Sequence, residues 1–425
     1  MITLNLPSIT VEKIEHIDKF VHIYARSNEV PKRCPHCTCR DFYVHGNKRQ
    51  LIMDEPHGSR KVGLLLRRDR YKCQDQWCKK TFMQGCSDVN ESHRATNRLI
   101  EYIHEVGIEE PFTWVAERVG LTEGNIRKIV LNYINQTEKK YSFETPSVLG
   151  IDELHLNKTM RLILTNIEEN TVIDLIEDRT KKTVINALTR LKDREKIKFV
   201  AMDMWRPYKE AVYAVLPHAV IVIDKFHIVK MANEAVEKGR KSLRESMTAE
   251  LALALKNDRF VMLRREERLS VRQSILLSGW TENYPQLKEL HRLKEEFFSI
   301  FDSRMPRAQA EAAYAAWEQS IPDDLAHFFK PLTTAVNGWH REVFNYFDTW
   351  ITNAYTESAN KVIKGIYNLG RGYSFKVLRA KTLYIQAEHK EKMSFKKSIP
   401  AGVLGFTRAP DILNYGVIIP HDDEN

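Results

Sequence analysis

No apolar run in the chain approaches the roughly 18 residues of a membrane span. The first residues, Met1-Ile2-Thr3-Leu4-Asn5-Leu6-Pro7, lack the basic stretch and apolar core of a secretory leader. The expectation is therefore a cytoplasmic protein with no membrane partner and with reduced thiols. Cysteine is scarce, six in 425 residues, too few for a disulfide scaffold in a chain of this length. Strong charge bias is missing as well. Sixty-five Lys or Arg against 56 Asp or Glu give +9 and a pI near 9.0, a basic balance that favours a polyanion partner only weakly by itself. What the chain has is length, and 43% hydrophobic residues, enough for two to four separate cores.

The charge is unevenly spread. Residues 47–80 hold ten Lys or Arg against four Asp or Glu, and residues 358–400 hold ten against two. These stretches are where phosphate contact is expected, with a solvated charged face as the alternative. The cysteines cluster too. Cys34-Pro35-His36-Cys37 and Cys73-Gln74-Asp75-Gln76-Trp77-Cys78 form two knuckles 35 residues apart. Paired thiolates at such spacings in a reducing compartment suit a tetrahedral structural zinc site, leaving Cys39 and Cys86 spare, with Cys39 near enough to replace Cys37 and His36 or His45 as alternative ligands. Between the knuckles, Lys61-Val62-Gly63-Leu64-Leu65-Leu66-Arg67-Arg68-Asp69-Arg70-Tyr71 mixes apolar and basic residues, as a ribbon strand with a basic face would. Arg67 and Arg68 are thus candidate DNA contacts. Alternation from Ile9 to Tyr24 predicts a further hairpin.

Beyond the ribbon the period becomes helical. Residues 96–106 suit one helix, and 112–126 match a helix-turn-helix, with small Ala116, turn Gly120 and aliphatic Ile126. Thr122 is a cap for the second helix, whose outer face would offer Asn125, Arg127, Lys128 and Asn132 to DNA. From Ser147 the pattern predicts strands at 147–156, 160–167 and 171–177, a helix at 181–192, a strand at 197–203, another helix and a strand at 219–224. Three strands followed by alternating helices and strands is the order of a ribonuclease H-like fold, in which the first and fourth strands are neighbours. Residues 231–345 are helical in composition and predict an insertion. Its Trp280, Trp317 and Trp339 read as core.

Three acids stand in contexts that suit phosphodiester chemistry. Asp152 follows Val148-Leu149-Gly150-Ile151, Asp203 follows Phe199-Val200-Ala201-Met202, and Glu357 lies where a helix starts. Three converging anions would repel unless they shared divalent cations. The plainer reading makes them helix caps and a surface Glu357 paired with Lys361 at i+4. Asp224, in Ile223-Asp224-Lys225-Phe226-His227, is either a cap or a fourth carboxylate, and His227 a possible substrate contact. Lys361 and Lys364 share the face of Glu357 and could neutralise phosphates.

Taken in order, Gly150-Ile151-Asp152-Glu153, Met202-Asp203-Met204-Trp205-Arg206-Pro207-Tyr208, Ile223-Asp224-Lys225-Phe226-His227 and Glu357-Ser358-Ala359-Asn360-Lys361-Val362-Ile363-Lys364 resemble the DDE transposases of bacterial insertion sequences, specifically the ISL-three group. The resemblance covers nearly the whole chain, and it implies that Asp152, Asp203 and Glu357 are the catalytic triad.

The expected organisation is multidomain α+β. A zinc-ribbon-like module spans 1–90 and a helix-turn-helix 91–140. A ribonuclease H-like domain spans 145–230 and 346–400, interrupted by the helical insertion at 231–345, and 401–425 form a tail. The expected activity is two-metal cleavage and strand transfer with magnesium, or manganese in its place. The partners would be the terminal inverted repeats and target DNA, met by a homodimer so that two ends are joined together. The alternative is a regulator that retains only the DNA-binding modules.

Overall fold

The computed structural model describes residues 5–138 and 145–384. The expected tail and residues 385–400 of the second catalytic segment lie outside them.

Period-two alternation builds the N-terminal sheet. β1 (Ile9–Ile17) and β2 (Phe20–Ser27) form an antiparallel hairpin, and β3 (Phe42–His57) and β4 (Arg60–Cys73) a longer one. β4 lies between β3 and β2, parallel to the latter. β5 (Thr81–Met83) joins β4, while β7 (Ala95–Thr96) and β6 (Val89–Asn90) extend the sheet past β3. Val21, Ile23 and Ala25 meet Val62, Leu64 and Leu66 on the buried face. The same alternation turns Arg68 inward after Leu64 and Leu66. It is only 2% exposed and is held by the carboxylate of Glu91 and the amide oxygen of Gln50. A desolvated guanidinium must be paired in this way. This corrects the expected exposure of Arg68 as a DNA contact; Arg67 and Arg70 are the exposed arginines of this stretch.

Three helices follow, α1 (Asn97–Glu109), α2 (Phe112–Val119) and α3 (Glu123–Thr137). Thr96 caps α1 by accepting from the Leu99 N–H, and Thr122 caps α3 by accepting from Asn125. Gly120 ends α2 at φ 79°, a left-handed conformation that glycine adopts without a Cβ penalty. The apolar faces of these helices share one core with Leu154, Leu156 and Ile163 of the second sheet and with Ile363 and Leu383. The three-helix unit is thus packed onto that sheet.

The second sheet contains β8 (Val148–Leu156), β9 (Thr159–Asn166), β10 (Thr171–Ile176), β11 (Phe199–Met202) and β12 (Val220–Ile223), in the order β10-β9-β8-β11-β12. β8 to β10 are an antiparallel meander, whereas β11 runs parallel to both β8 and β12. α4 (Lys181–Arg190) and α5 (Arg206–Val215) occupy the crossovers. Both faces are covered, which is why these strands are nearly continuously apolar.

After β12 the chain enters α6 (Lys225–Glu245), α7 (Ala249–Asn257), α8 (Arg259–Leu263), α9 (Val271–Asn283), α10 (Pro285–Asp302), α11 (Arg307–Gln319), α12 (Asp323–Gly338), α13 (His340–Phe344) and α14 (Tyr346–Thr349). Their core is continuous with one face of the second sheet. Trp280, Trp317 and Trp339 are buried in it, with Trp280 donating to Asp258 and Trp317 to the Leu293 carbonyl, both at 2.8 Å. α15 (Ala354–Gly370) returns the chain to β8, and a further helical segment covers 375–384.

Candidate active site

Gly150 is where α15 meets the sheet. A Cβ there would lie 2.2 Å from Thr165 Oγ1, 2.6 Å from Thr356 Oγ1 and 2.8 Å from Asn353 Oδ1, so only glycine allows this approach. A buried polar seam fills the contact. Asn353 Nδ2 donates to the Ile151 carbonyl at 3.1 Å, Thr356 Oγ1 to Asn353 Oδ1 at 2.5 Å, and the Thr165 and Thr356 hydroxyls pair at 2.6 Å. One turn further on, Asn360 Nδ2 donates to Asp152 Oδ2 at 2.8 Å and to the Glu153 carbonyl at 3.2 Å. Buried polar groups are costly unless paired, so the seam fixes both the position and the rotation of α15. Glu357, in the first turn, is aimed by it.

Strand register brings the aspartates together. Ala201 lies opposite Gly150 on one side and Val222 on the other, and Asp152, Asp203 and Asp224 each stand two residues beyond those partners. Three parallel strands therefore deliver three carboxylates at one level. Asp224 also caps α6 through Oδ1, which accepts from the Phe226 N–H at 3.4 Å. His227, one turn into α6, has Nε2 2.9 Å from Asp203 Oδ2 and Nδ1 3.9 Å from Asp224 Oδ2.

The electrostatics bind these groups into one site. Burial, then the charge of Asp203 and to a lesser degree that of Glu357, push the Asp152 carboxyl up to about 7. Burial and the charges of Asp224 and Asp203 also raise Glu357, against the opposing pull of His227 and Lys361. Hydrogen bonding to Asp203 and the nearby Asp224 push His227 up to about 10. Asp203 Oδ1, Asp224 Oδ2 and His227 Nδ1 are buried with no hydrogen-bond partner. Converging carboxylates with unpartnered oxygens are a donor set that fits divalent cations. Among the described residues, Asp224, His227 and Glu357 have ligand atoms all within 4.8 Å of one another. This tightest group thus adds Asp224 and His227 to Glu357, with Asp152 and Asp203 beside it. Asn360 escaped the sequence reading, although its i+3 spacing from Glu357 on a helix was the available signal.

A cleft of about 430 Å³ opens beside Asp203 and His227. Trp205 and Trp339 wall it. Arg179 lies 4.6 Å from the Trp205 ring centroid and pairs with Glu153, and Lys209 sits 4.8 Å over Trp339.

The second cluster is sulfur. Cys34, Cys37, Cys73 and Cys78 converge, with Cys34 and Cys78 sulfurs 3.8 Å apart and those of Cys37 and Cys73 3.5 Å apart. A tetrahedron with Zn–S bonds of about 2.3 Å has edges of about 3.8 Å, so the thiols fit zinc and are too far apart for disulfides. Phe42, Tyr71 and Phe82 pack around them. Cys39 and Cys86 stand outside the cluster, as expected.

Of the expected DNA contacts, Lys128 on α3 and Lys361 and Lys364 on α15 are exposed. Asn125 is half-buried, and Arg127 pairs with Glu123 at 2.7 Å. Among the described residues of the later basic stretch, Arg379 and Lys381 are used internally. Arg379 bridges Asp174 and Glu138, both at 2.7 Å, and Lys376 reaches Glu138 at 3.3 Å. Lys381, 1% exposed, donates to the carbonyls of Gly107 at 2.7 Å, Ile108 at 2.9 Å and Glu110 at 2.9 Å. Lys381 thus ties the 375–384 segment to the end of α1, and Arg379 ties it to β10 and the end of α3, which corrects the expected part of these two residues in phosphate contact.

The chain is a transposase by family: residues 149–382, more than half of it, match a family described as "Transposase", and the chain is a member of it, in the ISL-three group. Residues 31–78 match the zinc-finger of transposase IS204/IS1001/IS1096/IS1165. The chain is also 22% identical over 372 residues to the transposase for insertion sequence element IS1001 of Bordetella parapertussis, a match covering 85% of this chain and 90% of that protein.

Proposed function

We propose that this transposase binds the terminal inverted repeats of an insertion sequence and catalyses metal-dependent strand cleavage and strand transfer, with Asp152, Asp203 and Glu357 as its catalytic triad. The observation that carries this reading is that these three carboxylates, from two neighbouring parallel strands and one docked helix, lie close enough for Asp203 and Glu357 to raise Asp152, with Asp203 Oδ1 buried and unpartnered. The strand order supports a ribonuclease H-like catalytic domain over 145–230 and 346–400, with 231–345 as its insertion.

Asp152, Asp203 and Glu357 would hold magnesium or manganese, which would supply a nucleophile usable at neutral pH and positive charge for the leaving oxygen. The chain's own residues do the rest. Asn360 and the seam at Gly150 hold Asp152 and Glu357 in fixed relation, so that geometry is set before substrate arrives. Lys361 and Lys364 lie on the helix of Glu357, exposed where they can meet phosphates beside the scissile bond. Sequence is read elsewhere, because the triad faces only the backbone. That task falls to α3, through Asn125, Arg127 and Lys128, and to the zinc module through Arg67. A homodimer would hold two ends at once.

The deciding experiment incubates purified protein with a labelled transposon end and magnesium and maps the cut. Cleavage at the end, abolished by Asp152→Asn, Asp203→Asn or Glu357→Gln while end binding survives, supports the proposal. Magnesium-dependent cutting by the Glu357→Gln protein would sink the triad, and binding without cleavage by the native protein would favour a regulator.

A further inference from the structure

We propose that Asp224, His227 and Glu357 form a divalent-cation site of mixed carboxylate and imidazole donors, adjoining the site of Asp152 and Asp203. The inference rests on the transposase reading for what the ion does, but not for whether it binds.

Helix capping explains only half of Asp224. Its Oδ1 accepts the Phe226 N–H at 3.4 Å, while Oδ2 is buried without a partner on a residue 2% exposed. Facing it at 3.9 Å is His227 Nδ1, also buried and unpartnered. Across that gap the two atoms make only a long ion pair with no hydrogen bond, and a bound ion would satisfy both. With metal–ligand bonds of about 2.1 Å, donors around one ion lie about 3 to 4.2 Å apart. The observed 3.9 Å falls within that range. The Glu357 carboxylate completes a trio whose ligand atoms all lie within 4.8 Å of one another.

The other side of the imidazole sets its chemistry. Nε2 lies 2.9 Å from Asp203 Oδ2, and when an ion displaces the proton on Nδ1, the hydrogen kept on Nε2 and donated to that oxygen leaves the Nδ1 lone pair toward Asp224, 3.9 Å away. A carboxylate that orients a histidine in this way is a recurrent support for metal ligands. It also couples the two sites, since the Asp203 carboxylate that holds His227 keeps its Oδ1 buried and unpartnered. A nitrogen donor among oxygens favours manganese over magnesium or calcium. The chain should therefore bind manganese more tightly than magnesium, and His227 should set the difference.

The test uses the full-length chain with manganese alone as the probe. Pulsed electron paramagnetic resonance of the bound ion should detect one imidazole nitrogen, lost in His227→Gln and retained in Asp152→Asn. His227→Gln and Asp224→Asn should each weaken manganese binding by about tenfold or more. Asparagine is as good a helix cap as aspartate, so circular dichroism of Asp224→Asn should match the native protein. Absence of nitrogen coupling in the native protein, its persistence in His227→Gln, or no manganese binding overturns the inference. Cleavage of transposon ends, measured in parallel, keeps the two readings apart. Cutting without a nitrogen ligand sinks this site alone, and a nitrogen ligand without cutting sinks the transposase reading alone.

Discussion

Asn360 donates a hydrogen bond to Asp152 across 2.8 Å, so the helix that carries Glu357 also holds the first aspartate of the site. Two carboxylates 205 positions apart in sequence are thereby set by one side chain, and small movements of α15 move both.

Asn360→Ala should slow transposon-end cleavage by about 10- to 100-fold, the usual cost of removing a group that orients a metal ligand. End binding should be unchanged. Cleavage kinetics across a magnesium titration provide the check; a native rate at all concentrations would mean that Asp152 is held without Asn360.

Gly150→Ala should push α15 off β8, because the new methyl would fall 2.2 Å from Thr165 Oγ1 and 2.6 Å from Thr356 Oγ1. Overpacking of this kind costs about 1–3 kcal/mol. Thermal unfolding should shift down accordingly, and cleavage should fall with it as Glu357 loses its aim. A variant as stable and active as the native protein would show that the seam yields easily.

Cys73→Ser should release zinc and unfold the ribbon, since tetrathiolate binding supplies much of the folding free energy of a module with a small core. Elemental analysis should find zinc in the native protein and less in the variant, with hydrogen exchange rising across residues 34–78. Native protein free of zinc, with the ribbon still protected, would contradict this.

Asp152 predicts an unusual pH dependence. Its ordinary value is 3.8, and burial with neighbouring charge pushes it up to about 7 in the metal-free fold. The folded state then binds the proton more tightly than the unfolded one, so stability falls as pH rises from about 4 to about 7. A divalent ion competes with that proton, and its affinity should rise over the upper part of the same window. Melting temperatures of the zinc-loaded protein without and with added magnesium, compared from about pH 5 to pH 8, should diverge as pH increases. Parallel curves, or an unchanged divergence in Asp152→Asn, would remove Asp152 as the group responsible.

Features written within a few residues of each other were legible in the sequence. The knuckles of Cys34, Cys37, Cys73 and Cys78, the caps at Thr122 and Asp224, the turn at Gly120 and the apolar strands before Asp152 and Asp203 depend on local spacing, which backbone geometry converts directly into structure. Alternation could say that Arg67 and Arg68 face opposite ways, but not which way. That depended on Glu91 and Gln50, the partners that make an inward guanidinium tolerable. In the same way, nothing local distinguishes Lys381, buried under three carbonyls of the α1 terminus, from exposed Lys361. The joining of His227 to Asp203, and of Asn360 to Asp152, required strand register and helix docking across 24 and 208 positions. Only the folded chain decides such meetings, because each buried polar atom is satisfied by whatever the packing of distant segments brings within about 3 Å of it.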